Sequence, residues 1–283
     1  MTLIEKLKQP ANINDVKAIG KMADNYKDGK NVRKSLRKAF ELYKTGALLG
    51  DPQMNLCLAD CYYFGEGTKQ NGVKAFEYYS IAARKGVPAA MTSIGLMYQN
   101  GEKPCSQNAA KAIQWYRKAA QKGDALAFGN IGISYKFGLG IRKDDNKAFV
   151  CFQKASSLRH VASYVYLGEA YLNGKGTSRD YKEAVKWFRK SIQSGGKPQA
   201  YWYLGMCYFN GFGVHRNASK AVLLYKRASK FDIGYAQYYL GLCNLAGDGV
   251  KKSINYAEKF MKKALSNGVD EAQYKIEEIK RKK

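Results

Sequence analysis

Few side chains in this 283-residue sequence are placed to do chemistry. Cys57 and Cys61 stand four residues apart, the spacing that puts two thiols on one helix face and could supply half of a zinc site. No third and fourth ligand lies near them, so reduced thiols acting as small hydrophobes are the better reading. His160 and His215 are the only histidines, and neither is joined to a serine or cysteine in a recognised nucleophilic arrangement. Gly174-Lys175-Gly176-Thr177 has the composition of a phosphate loop but lacks its spacing and a preceding strand. There is no Gly-x-Ser-x-Gly elbow, Walker loop or metalloprotease helix. Asn217-Ala218-Ser219 is a glycosylation acceptor, inert in the cytosol. These residues point away from catalysis, and no cofactor or metal is expected.

What does recur is a Tyr-x-x-Gly unit, at Tyr26, Tyr62, Tyr98, Tyr135, Tyr171 and Tyr208, and in altered form at Asn244, in steps of 36 or 37 residues. A fixed period of this size marks stacked supersecondary units, an array that lengthens without enlarging a single core. Repeat three is the cleanest. Ala90, Ile94, Gly95 and Tyr98 fall at helical spacing, and after a loop Ala112, Trp115, Tyr116 and Ala119 form a second stripe. Each repeat is therefore a first helix, a glycine-rich loop and a second helix. Gly95, Gly132, Gly168, Gly205 and Gly241 sit inside the first helix, with Ala23 and Ala59 in that slot in repeats one and two. A glycine at fixed phase within a helix, where it costs about 1 kcal/mol against alanine, predicts close approach of a neighbouring helix. Cys61, Cys207 and Cys243 occupy equivalent places; helices packed about 8–10 Å apart hold such residues too far apart for a Cys207–Cys243 disulfide.

The pattern A-x-x-x-L-G-x-x-Y-x-x-G-x-G, followed by K-A-x-x-W-Y-x-K-A-A-x-x-G, resembles the Sel-1-like repeat family, a relative of the tetratricopeptide repeat. Departures fall mostly toward the ends: Asn31 replaces the second loop glycine in repeat one, Lys103 in repeat three, and Asn244 the tyrosine in repeat seven. The expected fold is all-α, a right-handed solenoid of about seven helix-turn-helix repeats with a C-terminal capping helix. The expected boundaries are an N-terminal extension over 1–14, the array over 15–270, and a capping helix with a basic tail over 271–283. The resemblance implies that first helices line a concave face and second helices a convex one. It also implies a non-catalytic adaptor role in multi-protein assemblies.

The formal charge is +25, from 48 Lys and Arg against 23 Asp and Glu. That excess suits an anionic partner such as RNA, DNA or a membrane surface, and equally a solvated, lysine-rich face. Its distribution is informative. The first helices of repeats three, six and seven carry no charge, whereas cations cluster on second helices and loops: Lys182, Lys186, Arg189 and Lys190, then Arg216 to Lys230, then Lys251 to Lys263. Helical phase turns Trp202, Met206, Phe209, Tyr235, Tyr238, Leu242 and Leu245 toward the groove. They would form an apolar patch of the kind that anchors protein partners, unless tight curvature buries them against one another.

The expected function is thus a protein-binding scaffold that takes a partner peptide or helix in the groove. The alternative is a ribonucleoprotein or other nucleic-acid component using the basic convex face. The first nine residues lack the apolar run of a secretory signal, and no stretch of about 18 apolar residues occurs. A cytoplasmic location is expected, with no membrane span.

Overall fold

In every repeat the second helix starts at a residue that caps it with its own side chain. Ser35, Asn71, Asn108, Asp144, Asp180, Asn217 and Ser253 each have extended backbone and accept a hydrogen bond from the N–H three residues on. Caps of this kind contribute about 1 kcal/mol each. In repeats one, two, three, five and six the cap's own N–H donates back to the carbonyl of the Tyr-x-x-Gly tyrosine, as from Asn71 to Tyr62 and from Asn217 to Tyr208, both at 2.8 Å. In repeat seven Ser253 makes the same bond to Asn244. The backbone carries this contact, so asparagine can replace tyrosine there.

These signals delimit the helices. The structure, a computed structural model, describes residues 13–281; the predicted extension over 1–14 falls outside that range except for its last two residues, as do the final two lysines. Among the described residues there are fifteen helices and no strand. Repeat one holds α1 (Ile13–Asp28) and α2 (Leu36–Leu48), repeat two α3 (Pro52–Phe64) and α4 (Gly72–Arg84), and repeat three α5 (Pro88–Asn100) and α6 (Ala109–Gln121). Repeat four holds α7 (Ala125–Phe137) and α8 (Asp145–Ser157), repeat five α9 (Ala162–Asn173) and α10 (Tyr181–Gln193), and repeat six α11 (Gln199–Asn210) and α12 (Ala218–Ser229). Repeat seven holds α13 (Gly234–Ala246) and α14 (Ile254–Ser266), and α15 (Glu271–Arg281) follows.

The slot glycines are explained by what faces them. A Cβ on Gly205 would lie 2.7 Å from the Tyr225 ring, and one on Gly95 or Gly168 would collide with Tyr116 or Phe188. Each obstructing ring comes from the second helix of the same repeat. The second loop glycines have an additional role. A Cβ on Gly67, Gly140, Gly176, Gly213 or Gly249 would strike backbone at the start of the preceding repeat's second helix. These glycines are therefore inter-repeat contacts as well as turn residues. Repeat three shows the exchange: Lys103 takes the loop position, and Gly72 is the residue with no room for a Cβ, against the Lys103 carbonyl. The lysine that precedes the conserved-phase alanine lies over the repeat tyrosine, 5.1–5.5 Å from ring centroid in the pairs Lys38–Tyr26, Lys74–Tyr62, Lys111–Tyr98 and Lys220–Tyr208. Cation–π contacts at such exposed positions are worth about 0.5–1 kcal/mol.

Two compact units divide after Lys143. The first contains α1 to α7. Its core includes Tyr43, Leu58, Tyr79, Ile94, Met97 and Tyr116, all nearly inaccessible. The phenols of Tyr43 and Tyr79 donate to Asp24 at 2.7 Å and Asp60 at 2.6 Å. The second unit contains α8 to α15 and shows how consecutive helices share a core. Phe188 packs with Ala184, Ala200, Leu204 and Cys207; Tyr225 with Ala221, Ala236, Leu240 and Cys243; Met261 with Ala257, Ala272, Ile276 and Ile279.

Candidate interaction surface on the first helices

The residues singled out for chemistry take structural places. None of the six cysteines is joined in a disulfide. Cys61, Cys105, Cys207 and Cys243 are buried and Cys57 and Cys151 half-buried. Burial pushes the Cys57 thiol up to about 11 and Cys61 and Cys207 up to about 12, which keeps them protonated at neutral pH. His160 pairs through Nδ1 with Ser163 Oγ at 2.7 Å, and His215 is exposed. Asn217 spends its side-chain oxygen capping α12. Gly174 ends α9 in a left-handed conformation, so the Gly-Lys-Gly-Thr stretch is an ordinary inter-helix loop. Among the described residues no group of three or more His, Cys, Asp and Glu could hold a metal ion.

The predicted patch residues lie on α11 and α13 within the second unit. Only Tyr235 is exposed, at 47%; Trp202, Met206, Phe209, Tyr238, Leu242 and Leu245 are half-buried. Their rings fall into two groups. Trp202 lies 4.4 Å from Tyr203 and 5.7 Å from Tyr235, bridging α11 to α13. Phe209 and Tyr238 each meet Tyr239, at 6.1 and 5.9 Å. Met206 rests on the core around Phe188, whereas Tyr238, Leu242 and Leu245 rest on the core around Met261. Leu56, which stands at the Trp202 phase in repeat two, is buried at 7% exposure.

Tyr203 and Tyr239 are the members that sequence reasoning missed. Both stand two residues before the slot glycine, where Tyr166 also stands, so three successive aromatics in one phase were the available signal. The Trp202 indole N–H is shut off from solvent and has no hydrogen-bond partner. An indole N–H in an apolar setting usually finds an acceptor, and this one has none within the chain. Charge keeps away: α5, α11 and α13 contain no ionisable Asp, Glu, Lys or Arg. The cations named on α10, α12, α14 and their loops are all exposed. Among the described residues no helix is long and apolar enough to cross a membrane.

Paired antiparallel helices repeating at this period, with glycine-ended first helices, define an all-α solenoid of the tetratricopeptide-like class. The Sel1 repeat matches residues 16–51, 53–87, 88–124, 129–160, 161–196, 198–230 and 234–269, so the chain belongs to the Sel1 repeat family. Families of this fold generally serve as protein–protein interaction scaffolds and are generally non-catalytic. Among solved structures the chain is similar to a protective antigen present in uropathogenic Escherichia coli strains that displays an SLR fold. Identity there is 28% and the TM-score 0.76, over 98% of this chain and 59% of the antigen. This chain thus spans about three-fifths of that protein's length. It is also similar to a Sel1 repeat protein from Oxalobacter formigenes, at 24% identity and a TM-score of 0.75, covering 89% and 97% of the two chains. An immunity protein from Pseudomonas aeruginosa shares the fold at 19% identity and a TM-score of 0.51, over 80% and 85%. No curated protein gives a significant match.

Proposed function

We propose that this protein is a non-catalytic scaffold or adaptor whose second unit holds a peptide or helix of a partner protein against the first-helix face of repeats six and seven. Trp202, Met206, Phe209, Tyr235, Tyr238, Leu242 and Leu245 make the contact, joined by Tyr203 and Tyr239. The observation that carries this reading is the uncharged, half-exposed aromatic run across α11 and α13, in which Trp202 keeps an unpartnered N–H. Trp and Tyr are the side chains over-represented at binding hot spots, because they bring large rigid area and a polar tip. A partner backbone carbonyl would satisfy the indole while apolar side chains cover the rings. Capture by the full chain, followed by mass spectrometry, tests the proposal. The double variant Trp202→Ala, Tyr238→Ala should lose the proteins retained by the wild type while keeping its helical circular dichroism. Retention of the same set would overturn it.

The exposed cations of α10, α12 and α14 support a second reading, an RNA or other polyanion held by charge on the opposite helices. That binding would be phosphate-driven and would weaken steeply with salt.

A further inference from the structure

Outside the aromatic face, one cleft in the second unit has polar groups with nothing to bond. It measures about 680 Å³ and opens where the end of α8, the start of α9 and the end of α10 meet. That volume falls within the range of small-molecule sites, about 300–1,000 Å³. Its lining includes Gln153, Ser156, Arg159, Tyr164, Trp187 and Lys190, and no acidic residue. Ser156 is 4% exposed, and its hydroxyl has no hydrogen-bond partner; the Trp187 indole N–H is equally enclosed and unpartnered. Lys190 lies 4.7 Å from the ring centroids of both Tyr164 and Trp187, and Arg159 is exposed beside it.

The carbonyl ends of α8 and α10 account for cations collecting here. They do not account for two orphaned donors in the same wall. A buried hydroxyl or N–H without a partner costs about 1–3 kcal/mol, so two in one cleft point to a missing acceptor. Two cations, two neutral donors and no carboxylate select an acceptor that is anionic and has several oxygens. A phosphate group meets that description: it takes charge-assisted bonds from Arg and Lys and neutral bonds from a hydroxyl and an N–H on its other oxygens. The Tyr164 and Trp187 rings offer apolar surface for whatever carries it. We propose that this cleft is a binding site for a phosphate monoester, carried by a small molecule or by a phosphorylated side chain. The site is independent of the aromatic face on α11 and α13.

Calorimetric titration of the full chain with inorganic phosphate, a nucleoside monophosphate and a phosphoserine peptide tests the site. Saturable one-to-one binding of at least one probe is expected, with the thermal shift that a ligand specific to the folded state must produce. Ser156→Ala removes a buried hydroxyl that bonds to nothing, so the fold should be at least as stable as before while binding weakens about tenfold. Lys190→Gln and Arg159→Gln should weaken it at least as much, with unchanged circular dichroism. A higher affinity for the nucleotide than for the peptide assigns the rings to a base, and the reverse order assigns the cleft to a phosphorylated partner; either upholds the site. Absence of saturable binding by all three probes would mean a water-filled cleft and would overturn the proposal. So would affinity indifferent to Ser156→Ala and Lys190→Gln.

Discussion

Gly205 shows how tightly single atoms are specified. The Tyr225 ring occupies the space of the missing Cβ, so Gly205→Ala must displace an aromatic that is wholly buried. Helix propensity would favour the change by about 1 kcal/mol, but overpacking typically costs about 1–3 kcal/mol. Chemical denaturation should therefore show net destabilisation, against the ordinary gain from alanine in a helix. The glycine period was readable in the sequence as close approach, and the obstructing ring was not, because it depends on how the second helix turns. The buried thiols give a second expectation at this scale. Burial raises Cys207 from its ordinary 9.0 to about 12. A proton held more firmly in the folded chain adds stability that is whole below the ordinary value and lost as pH climbs toward the folded value. Stability should fall between pH 9 and pH 12, and Cys207→Ala should fall less over that window in parallel pH-dependent melts.

At the scale of elements, a few local devices recur: the cap, the left-handed glycine, the lysine over tyrosine. Helix types and their order follow from the phase of small and aromatic residues, and these were legible. The seven caps were present in the sequence too, nine or ten residues after each repeat tyrosine or its substitute, but a hydrophobic period does not reveal them. The role of the second loop glycines was hidden for another reason. They touch the preceding repeat, and a pattern read within one repeat carries no information about its neighbour. The last element, α15, completes the core of repeat seven through Ala272, Ile276 and Ile279. A carboxylate at Ile276 would be buried without a partner, so Ile276→Asp should cost more than about 3 kcal/mol. It should also free Tyr238, Leu242 and Leu245 to bind a hydrophobic dye. A melting temperature unchanged by that substitution would show that α15 is not needed to close repeat seven.

For the molecule as a whole, the two sets of helices carry different chemistry. Exposed cations crowd α10, α12 and α14, whereas the uncharged first helices α11 and α13 beside them present rings. The period exposed this division in the sequence, because it sorts residues by helix before any contact is known. The proposed surface was legible only in part: the phase rule turned Trp202 and Tyr235 toward the groove but passed over Tyr203, which packs on Trp202, and Tyr239, which packs on Phe209 and Tyr238. The cleft beside Trp187 was not legible at all, since it is defined by hydrogen bonds that Ser156 on α8 and Trp187 on α10 fail to make. The charge also yields a discriminating expectation. If the cations bind RNA, filter binding at two salt concentrations should show a steep loss at the higher one; a partner held on the aromatic face should be nearly indifferent to salt. The most direct test of the account is the dissociation constant of a captured partner segment with wild type, with Tyr235→Ser, and with Trp202→Ala, Tyr238→Ala. Tyr235 is exposed, so its variant keeps the fold intact and isolates the surface. The account predicts that both variants weaken binding, the double variant by about a hundredfold or more, at unchanged melting temperature for Tyr235→Ser. Equal affinity across all three proteins would contradict it.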